Sequence, residues 1–160
     1  MFNLPTQPTT AEVKSPRKLV IYSHPKVGKT TAVSYLKNAL ILDFEEGAGY
    51  VDGMSLNIPK ILRDNPKENI LSVLTNLKDQ LNDYYTKHGK WQYDYIVVDT
   101  TTSLEDYARP YATVLYKQTP MGKVYTGSNV INDLPQGGGY GYLREAFEKL
   151  LGLIDKNAII

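Results

Sequence analysis

The sequence contains no cysteine and only two histidines among its 160 residues. The absence of cysteine excludes disulfide scaffolds and metal sites built on thiolates. His24 and His88 are too few and too far apart along the chain to indicate a histidine-based metal cluster. A chain without cysteine also fits a reducing compartment, so we expect a cytoplasmic protein.

Long apolar runs and an excess of one charge are missing as well. The runs KLVIY, ALIL and YIVV are far shorter than the roughly 20 residues that a membrane helix requires. The N-terminus does not show the basic and then apolar order of a secretory signal. Lys and Arg total 18 against 17 for Asp and Glu, so the net charge of +1 predicts no general attraction to nucleic acid. We expect no membrane partner, and any basic surface must be local.

The composition predicts one globular domain behind a short arm. A chain of 160 residues that is 42% hydrophobic can close a single core. Residues 1–17 are rich in proline and threonine and have no apolar period, which predicts a flexible N-terminal arm. Residues 18–160 then form the domain.

The pattern of the domain alternates between strands and helices, which predicts an α/β fold with a mostly parallel sheet and helices on both faces. Short apolar runs predict buried strands at KLVIYS, ALILDFE and YDYIVVDT, and NAII begins a fourth. Helical spacing predicts helices in GKTTAVSYLKNA and YLREAFEKLLGLI. The segment between the second strand and residue 64 has no clear period and is interpreted as a surface excursion.

Capping signals predict the starts of the two central helices. Asn65 as the cap, Pro66 in the first turn and Glu68 in capping-box spacing open one helix, which Gly89 ends. Thr102 and Glu105 have the same spacing at the start of the next helix. From Arg109 to Gly139 the sequence is rich in proline and glycine and is predicted to be irregular.

The stretch SHPKVGKTT matches a phosphate-binding loop in all but its first position, where Ser23 replaces glycine. Such a loop works because its backbone N–H groups face inward, its lysine reaches the terminal phosphates and its hydroxyl ligates magnesium. The alternative is that GKT merely starts a helix after a turn. The preceding apolar run and the following helix favour phosphate binding. The predicted nucleotide-binding residues are Ser23, Lys26, Val27, Gly28, Lys29, Thr30 and Thr31.

A phosphate loop of this type needs a carboxylate near the magnesium ion, at the end of a neighbouring strand. Asp99 follows the apolar run YIVV and fills this role, with Thr30 as the second metal ligand. As an alternative, Asp99 is only a turn or capping residue.

Hydrolysis also requires a group that activates water. Three carboxylates close the second strand, Asp43, Glu45 and Glu46, and parallel strands would bring them to the edge where the phosphate loop lies. The alternative is a solvated strand end.

Together, KLVIYSHPKVGKTT, LILDFEEGAGYVDG, YIVVDTTTSL and GYGYLREAFEKLLGLIDKNAII resemble the RecA-like P-loop NTPases. The resemblance is closest to small phage-encoded RecA-like ATPases of recombination and single-strand annealing systems. It implies ATP and Mg²⁺ as cofactors, Glu45 and Lys29 as catalytic residues and Asp99 as the metal-binding carboxylate. It also implies homo-oligomers on single-stranded DNA, a single-strand annealing or binding protein as partner, and the host cytoplasm if the protein is phage-encoded.

The resemblance further implies that NAII lies between the phosphate-loop strand and the Asp99 strand. On this basis we expect a domain that is incomplete at its C-terminal end, with the sensor residue beyond Ile160.

The stretch from Arg109 to Tyr142 falls where recombinases carry a DNA-binding loop. Its tyrosines could stack on unpaired bases and its lysines could follow phosphates, which nominates Lys117, Lys123 and Tyr125 as DNA contacts. The alternative is that these tyrosines pack, since the chain has 13 of them.

Three functions therefore compete. The leading one is an ATPase acting on single-stranded DNA in recombination, annealing or repair. The second is a nucleotide-binding module that assembles without turnover. The third is a small P-loop kinase, which the scattered arginines disfavour.

Overall fold

The computed structural model describes residues 18–125 and 138–155. Within these ranges the chain forms three strands, five α-helices and two short 3-10 helices. The strands are β1 (Ala39–Asp43), β2 (Met54–Asn57) and β3 (Tyr95–Asp99). The α-helices are α1 (Lys29–Ser34), α2 (Ile58–Asp64), α3 (Ile70–His88), α4 (Thr101–Lys117) and α5 (Gly139–Asp155), and the 3-10 helices are Ala48–Tyr50 and Gly122–Val124. The predicted arm, residues 1–17, lies outside the described residues.

The sheet is parallel and has the strand order β2-β1-β3. All five residues of the central strand β1 are buried, as the apolar run ALIL predicts. Asp43 is in register with Asp99 on one side and with Asn57 on the other. The carboxyl ends of the strands therefore meet at one edge of the sheet, where parallel α/β folds bind ligands.

Helices cover both faces of the sheet, which confirms the predicted fold class. Leu40 and Leu42 belong to the main apolar core, together with buried side chains of α3, α4 and α5. Ile41 points to the opposite face and lines a shallow cavity with Val33 and Leu36 near α1. The core thus lies on one face, while a helix of six residues with no buried side chain partly covers the other.

The prediction of a first strand at KLVIYS is wrong in this structure. Residues 18–23 form no strand, and Val20 and Tyr22 are 84% and 98% exposed. A parallel strand needs a hydrogen-bonded neighbour, and none of the three strands in the described ranges pairs with this segment. The strand predicted between it and β3, NAII, lies outside the described residues.

The segment interpreted as a surface excursion instead contains β2 and α2. Apolar Met54, Leu56 and Ile58 alternate with polar residues, which is a strand signal too short to stand out. Asn57 then caps α2, because its side-chain oxygen accepts the backbone N–H of Lys60 at 2.7 Å. Ile58 is fully buried, so α2 contributes to the core.

The predicted starts of α3 and α4 need correction. Helix α3 begins at Ile70, because Asn69 and Ser72 form a reciprocal capping box with both distances at 3.0 Å. Its predicted end is confirmed, since Gly89 adopts the left-handed region with φ +68°. Helix α4 is capped by Thr100, two residues before the predicted cap, because β3 leads directly into it.

The stretch predicted to be irregular from Arg109 is helical as far as Lys117. Helix α4 continues through Pro110, although an internal proline removes one backbone hydrogen bond. Ala108, Ala112 and Leu115 recur at helical spacing and are buried, and their packing outweighs the local cost. The predicted apolar stripe of α5 is confirmed, with Leu143, Ala146, Leu150 and Ile154 buried. Residues 126–137 lie outside the described part.

No helix in the described part of the chain combines the length and the apolar character needed to cross a membrane.

Candidate functional site

The loop from Ser23 to Gly28 turns sharply into α1. Two of its residues have left-handed backbone, Lys26 with φ +63° and Gly28 with φ +89°. Glycine adopts this region without strain, which explains its use directly before the helix. No side chain of the described residues caps α1. The N–H groups of the first turn of α1 therefore remain available to an anion.

Lys29, the first residue of α1, folds its side chain back over this loop. Its ammonium donates to the carbonyl oxygens of His24 at 3.1 Å and Ser23 at 3.4 Å. The hydroxyl oxygen of Ser23 is buried and has no hydrogen-bond partner among the described residues. An unpaired buried hydroxyl is costly, and this one lies at the start of the loop.

Thr30 and Asp99 meet across 69 positions of sequence. The Thr30 hydroxyl donates to Oδ2 of Asp99 at 2.6 Å. Helix α1 and strand β3 carry the two residues, so the contact joins the loop to the edge of the sheet. The structure therefore brings together the two residues predicted to bind metal.

Asp43 has a different role from Asp99, although both end a strand. Its side chain is only 2% exposed and accepts three backbone N–H groups, from Glu45 at 3.0 Å, Gly47 at 3.1 Å and Ala48 at 2.9 Å. These bonds define the turn after β1. Asp43 is therefore a structural carboxylate that places Glu45 at the end of the sheet.

Glu45 lies beside the start of α4. Its Oε1 accepts the hydroxyls of Thr100 at 2.6 Å and Ser103 at 2.7 Å. These two hydrogen bonds, and to a smaller extent the positive charge of Lys29, lower the pKa of Glu45 below its ordinary value. The carboxylate therefore stays ionised at neutral pH and can accept a proton.

Glu46 points away from this arrangement. Its backbone is left-handed, with φ +61°, and its carboxylate forms an exposed ion pair with Arg63 of α2 at 2.5 Å. The hydrogen bond from Arg63 lowers the pKa of Glu46. Among the described residues, Glu45 is the one of the three carboxylates whose side chain hydrogen-bonds to residues that follow Asp99.

The oxygen atoms of Thr30 and Asp99 fit a magnesium ion. The described residues contain no group of three or more histidine, cysteine or carboxylate side chains that could enclose a metal. Mg²⁺ does not require one, because it keeps several waters and uses one or two protein oxygens together with substrate phosphates. The hydroxyl and the carboxylate, already in contact, are ligands of the type that Mg²⁺ prefers.

The three predicted DNA contacts lie away from these residues, near the end of α4. Lys117 ends α4, and Lys123 is exposed in the second 3-10 helix. Tyr125 is half-buried, and its ring packs edge-on against Tyr116 with centroids 5.4 Å apart. Tyr142 makes a similar contact with Tyr116 at 5.2 Å. Packing therefore accounts for these tyrosines, as the alternative interpretation predicted.

Sequence reasoning missed Thr100 and Ser103. Both were available as hydroxyl residues directly after the YIVVD run, but their contact with Glu45 spans 55 and 58 positions. No local pattern encodes such a contact. The available signal was the dense group of hydroxyl residues in DTTTS.

A family model described as AAA domain matches residues 15–157 of this chain. The chain belongs to the AAA domain family. This AAA domain is a nucleotide-binding domain of the P-loop ATPase type, in agreement with its parallel sheet and its loop before α1. No curated protein and no solved structure is similar enough to this AAA domain to count as a match.

Proposed function

We propose that this AAA domain binds and hydrolyses ATP with Mg²⁺ and that it acts on single-stranded DNA in phage-type recombination, annealing or repair. The observation that carries the ATPase part is the hydrogen bond of 2.6 Å between Thr30 and Asp99. This bond links the start of α1 to the end of β3. Thr100, the residue directly after β3, donates a hydrogen bond to Glu45. The residues proposed to bind phosphate, hold metal and activate water thus lie at one edge of the sheet.

Phosphate binding is the task of the loop and of Lys29. The uncapped N–H groups of α1 supply donors, and Gly28 allows the backbone to approach the phosphates closely. The Lys29 ammonium now donates to two loop carbonyls, and it would exchange them for phosphate oxygens, which are stronger acceptors because they are charged.

Thr30 and Asp99 would hold Mg²⁺, which when bound neutralises charge on the phosphates. Glu45 is the general base. Its ionised carboxylate would take a proton from the attacking water as the water oxygen bonds to the terminal phosphorus. The bond from that phosphorus to the bridging oxygen breaks in the same step, so that ADP and phosphate are released. The hydrogen bonds from Thr100 and Ser103, which lower the pKa of Glu45, favour this ionised form.

The DNA part of the proposal rests on the region after α4. Lys123 is exposed there, next to the exposed apolar side chains of Met121 and Val124. An exposed lysine can follow the phosphates of a flexible single strand. A homo-oligomer on DNA, and a single-strand annealing or binding protein as partner, belong to the same proposal.

The test is ATP hydrolysis by the 160-residue chain with and without single-stranded DNA, together with direct ATP binding. Glu45→Gln should bind ATP and lose turnover, whereas Glu148→Gln on the exposed face of α5 should behave as wild type. Stimulation by DNA supports the full proposal. Binding without turnover would instead support an assembly module, and turnover only with a small phosphoryl acceptor would support a kinase. Loss of both activities would show that the loop does not bind phosphate.

A further inference from the structure

Two hydroxyl residues at the start of α4 hold the carboxylate of Glu45. Thr100 and Ser103 both donate to Oε1, at 2.6 and 2.7 Å. Their hydroxyl oxygens lie 3.2 Å apart, and the Thr100 oxygen also accepts the backbone N–H of Ser103 at 3.3 Å. The backbone bond leaves the Thr100 proton free to point at Glu45.

The hydrogen bonds matter because Glu45 is otherwise exposed. A glutamate on the surface populates several rotamers, and fixing it in one costs conformational entropy. Two charge-assisted hydrogen bonds to one oxygen offset that cost. Helix α4, which begins immediately after the metal-binding Asp99, thus sets where the carboxylate lies.

The second oxygen of the carboxylate is left for a different partner. Within residues 18–125 and 138–155 both side-chain hydrogen bonds to Glu45 are made at Oε1. An ionised carboxylate can accept about four hydrogen bonds, so Oε2 remains able to accept a water. Oε1 is therefore the oxygen that the two hydroxyls hold, and Oε2 is the oxygen that would take the proton from water.

We propose that Thr100 and Ser103 are positioning residues that hold Glu45 in the orientation needed for its action as general base. The inference rests on the proposed function, because it concerns the residue to which that function assigns proton transfer. In this proposal the hydroxyls of Thr100 and Ser103 act through Glu45, to which both donate.

Ser103→Ala tests the inference, because it removes the Ser103 hydroxyl donor and keeps the Ser103 backbone N–H that donates to Thr100. Thr102→Ala is the matched control, because Thr102 is exposed on the same turn. Ser103→Thr retains the hydroxyl and should restore activity. We expect kcat of Ser103→Ala to fall by roughly tenfold, a part of what a general base contributes, with KM and ATP affinity nearly unchanged.

A double-mutant cycle separates positioning from a general structural effect. If Ser103 acts through Glu45, adding Ser103→Ala to Glu45→Gln should not lower the residual rate further. A structural role would reduce the residual rate by the same factor in both backgrounds, and this result would overturn the inference. Thermal melts of each variant verify that it is folded.

A readout without turnover comes from side-chain scalar couplings of Glu45 in the ¹³C-labelled protein without nucleotide. They should report one rotamer in wild type and Thr102→Ala, and rotamer averaging in Ser103→Ala; averaging in wild type would overturn the inference. Wild-type turnover in Glu45→Gln would overturn both the inference and the role of Glu45 in the proposed function. An inactive Glu45→Gln with a fully active Ser103→Ala would overturn only the inference.

Discussion

Asp43 and Asp99 are partners in the register of two adjacent parallel strands, yet their carboxylates make opposite kinds of contact. The Asp43 carboxylate is buried and accepts three backbone N–H groups from the residues that follow it in the chain. Asp99 reaches across to helix α1 and accepts the hydroxyl of Thr30. One aspartate therefore builds the turn that carries Glu45, and the other builds the predicted metal site.

Asp43→Asn tests the structural role of the buried carboxylate. An amide offers one acceptor oxygen and places an NH₂ group against N–H donors, so at least one hydrogen bond to a charged acceptor is lost. We expect the free energy of unfolding to fall by about 1.5–3 kcal/mol, measured by urea denaturation. Asp52→Asn, at an exposed position, serves as the control and should change stability by less than about 0.5 kcal/mol. Equal stabilities of the two variants would contradict the assignment.

Lys29→Ala tests phosphate binding by the loop. The variant removes the ammonium that now covers the loop carbonyls, and with it charge-assisted contacts to the nucleotide. We expect ATP affinity to fall by at least about thirtyfold, equivalent to about 2 kcal/mol, in calorimetric titrations. Lys37→Ala, a lysine exposed after α1, should bind as wild type. Unchanged affinity in Lys29→Ala would show that the loop only resembles a phosphate-binding loop.

Lys123→Ala tests the proposed contact with single-stranded DNA. Because Lys123 is exposed, its removal should leave stability unchanged while weakening binding. Each lost phosphate contact should flatten the slope of log affinity against log salt by about 0.7 for a single strand. Lys90→Ala, at an exposed position between α3 and β3, is the control. The same salt slope in both variants would move the DNA contact elsewhere.

Tyr125→Ala tests packing as well as DNA binding, because the Tyr125 ring packs against Tyr116. The variant should lose stability as well as any DNA affinity. If only stability changes, Tyr125 is a packing residue and makes no contribution to DNA binding.

Ile21→Ala and Ile58→Ala form a matched pair that tests the correction at the first predicted strand. Ile21 is 50% exposed, whereas Ile58 is fully buried at the start of α2. Truncating the buried isoleucine should cost about 2–5 kcal/mol in denaturant unfolding, and truncating the exposed one less than about 1 kcal/mol. A comparable loss at Ile21 would show that its side chain is buried and would contradict the exposed placement of this segment.

The features that the sequence alone determined are those encoded within a few neighbouring residues. The loop that leads into α1, the strands β1 and β3, and the apolar face of α5 all follow from spacing inside short windows. Strand β2 was not predicted because it has only four residues, two exposed and two partly buried, and so carries too weak a period. The predicted strand at KLVIYS failed for the opposite reason, since a strong local pattern does not supply a pairing partner.

The tertiary structure alone decided which side chains meet. The register of β1 and β3 brings Asp43 and Asp99 level, and the packing of α4 after β3 turns Thr100 and Ser103 toward Glu45. Packing also keeps α4 helical through Pro110, although proline disfavours the interior of a helix. These contacts depend on the placement of distant segments, and no window of the sequence contains both members of such a pair. The sequence therefore determines the chemical groups of the site, and the fold determines which of them act together.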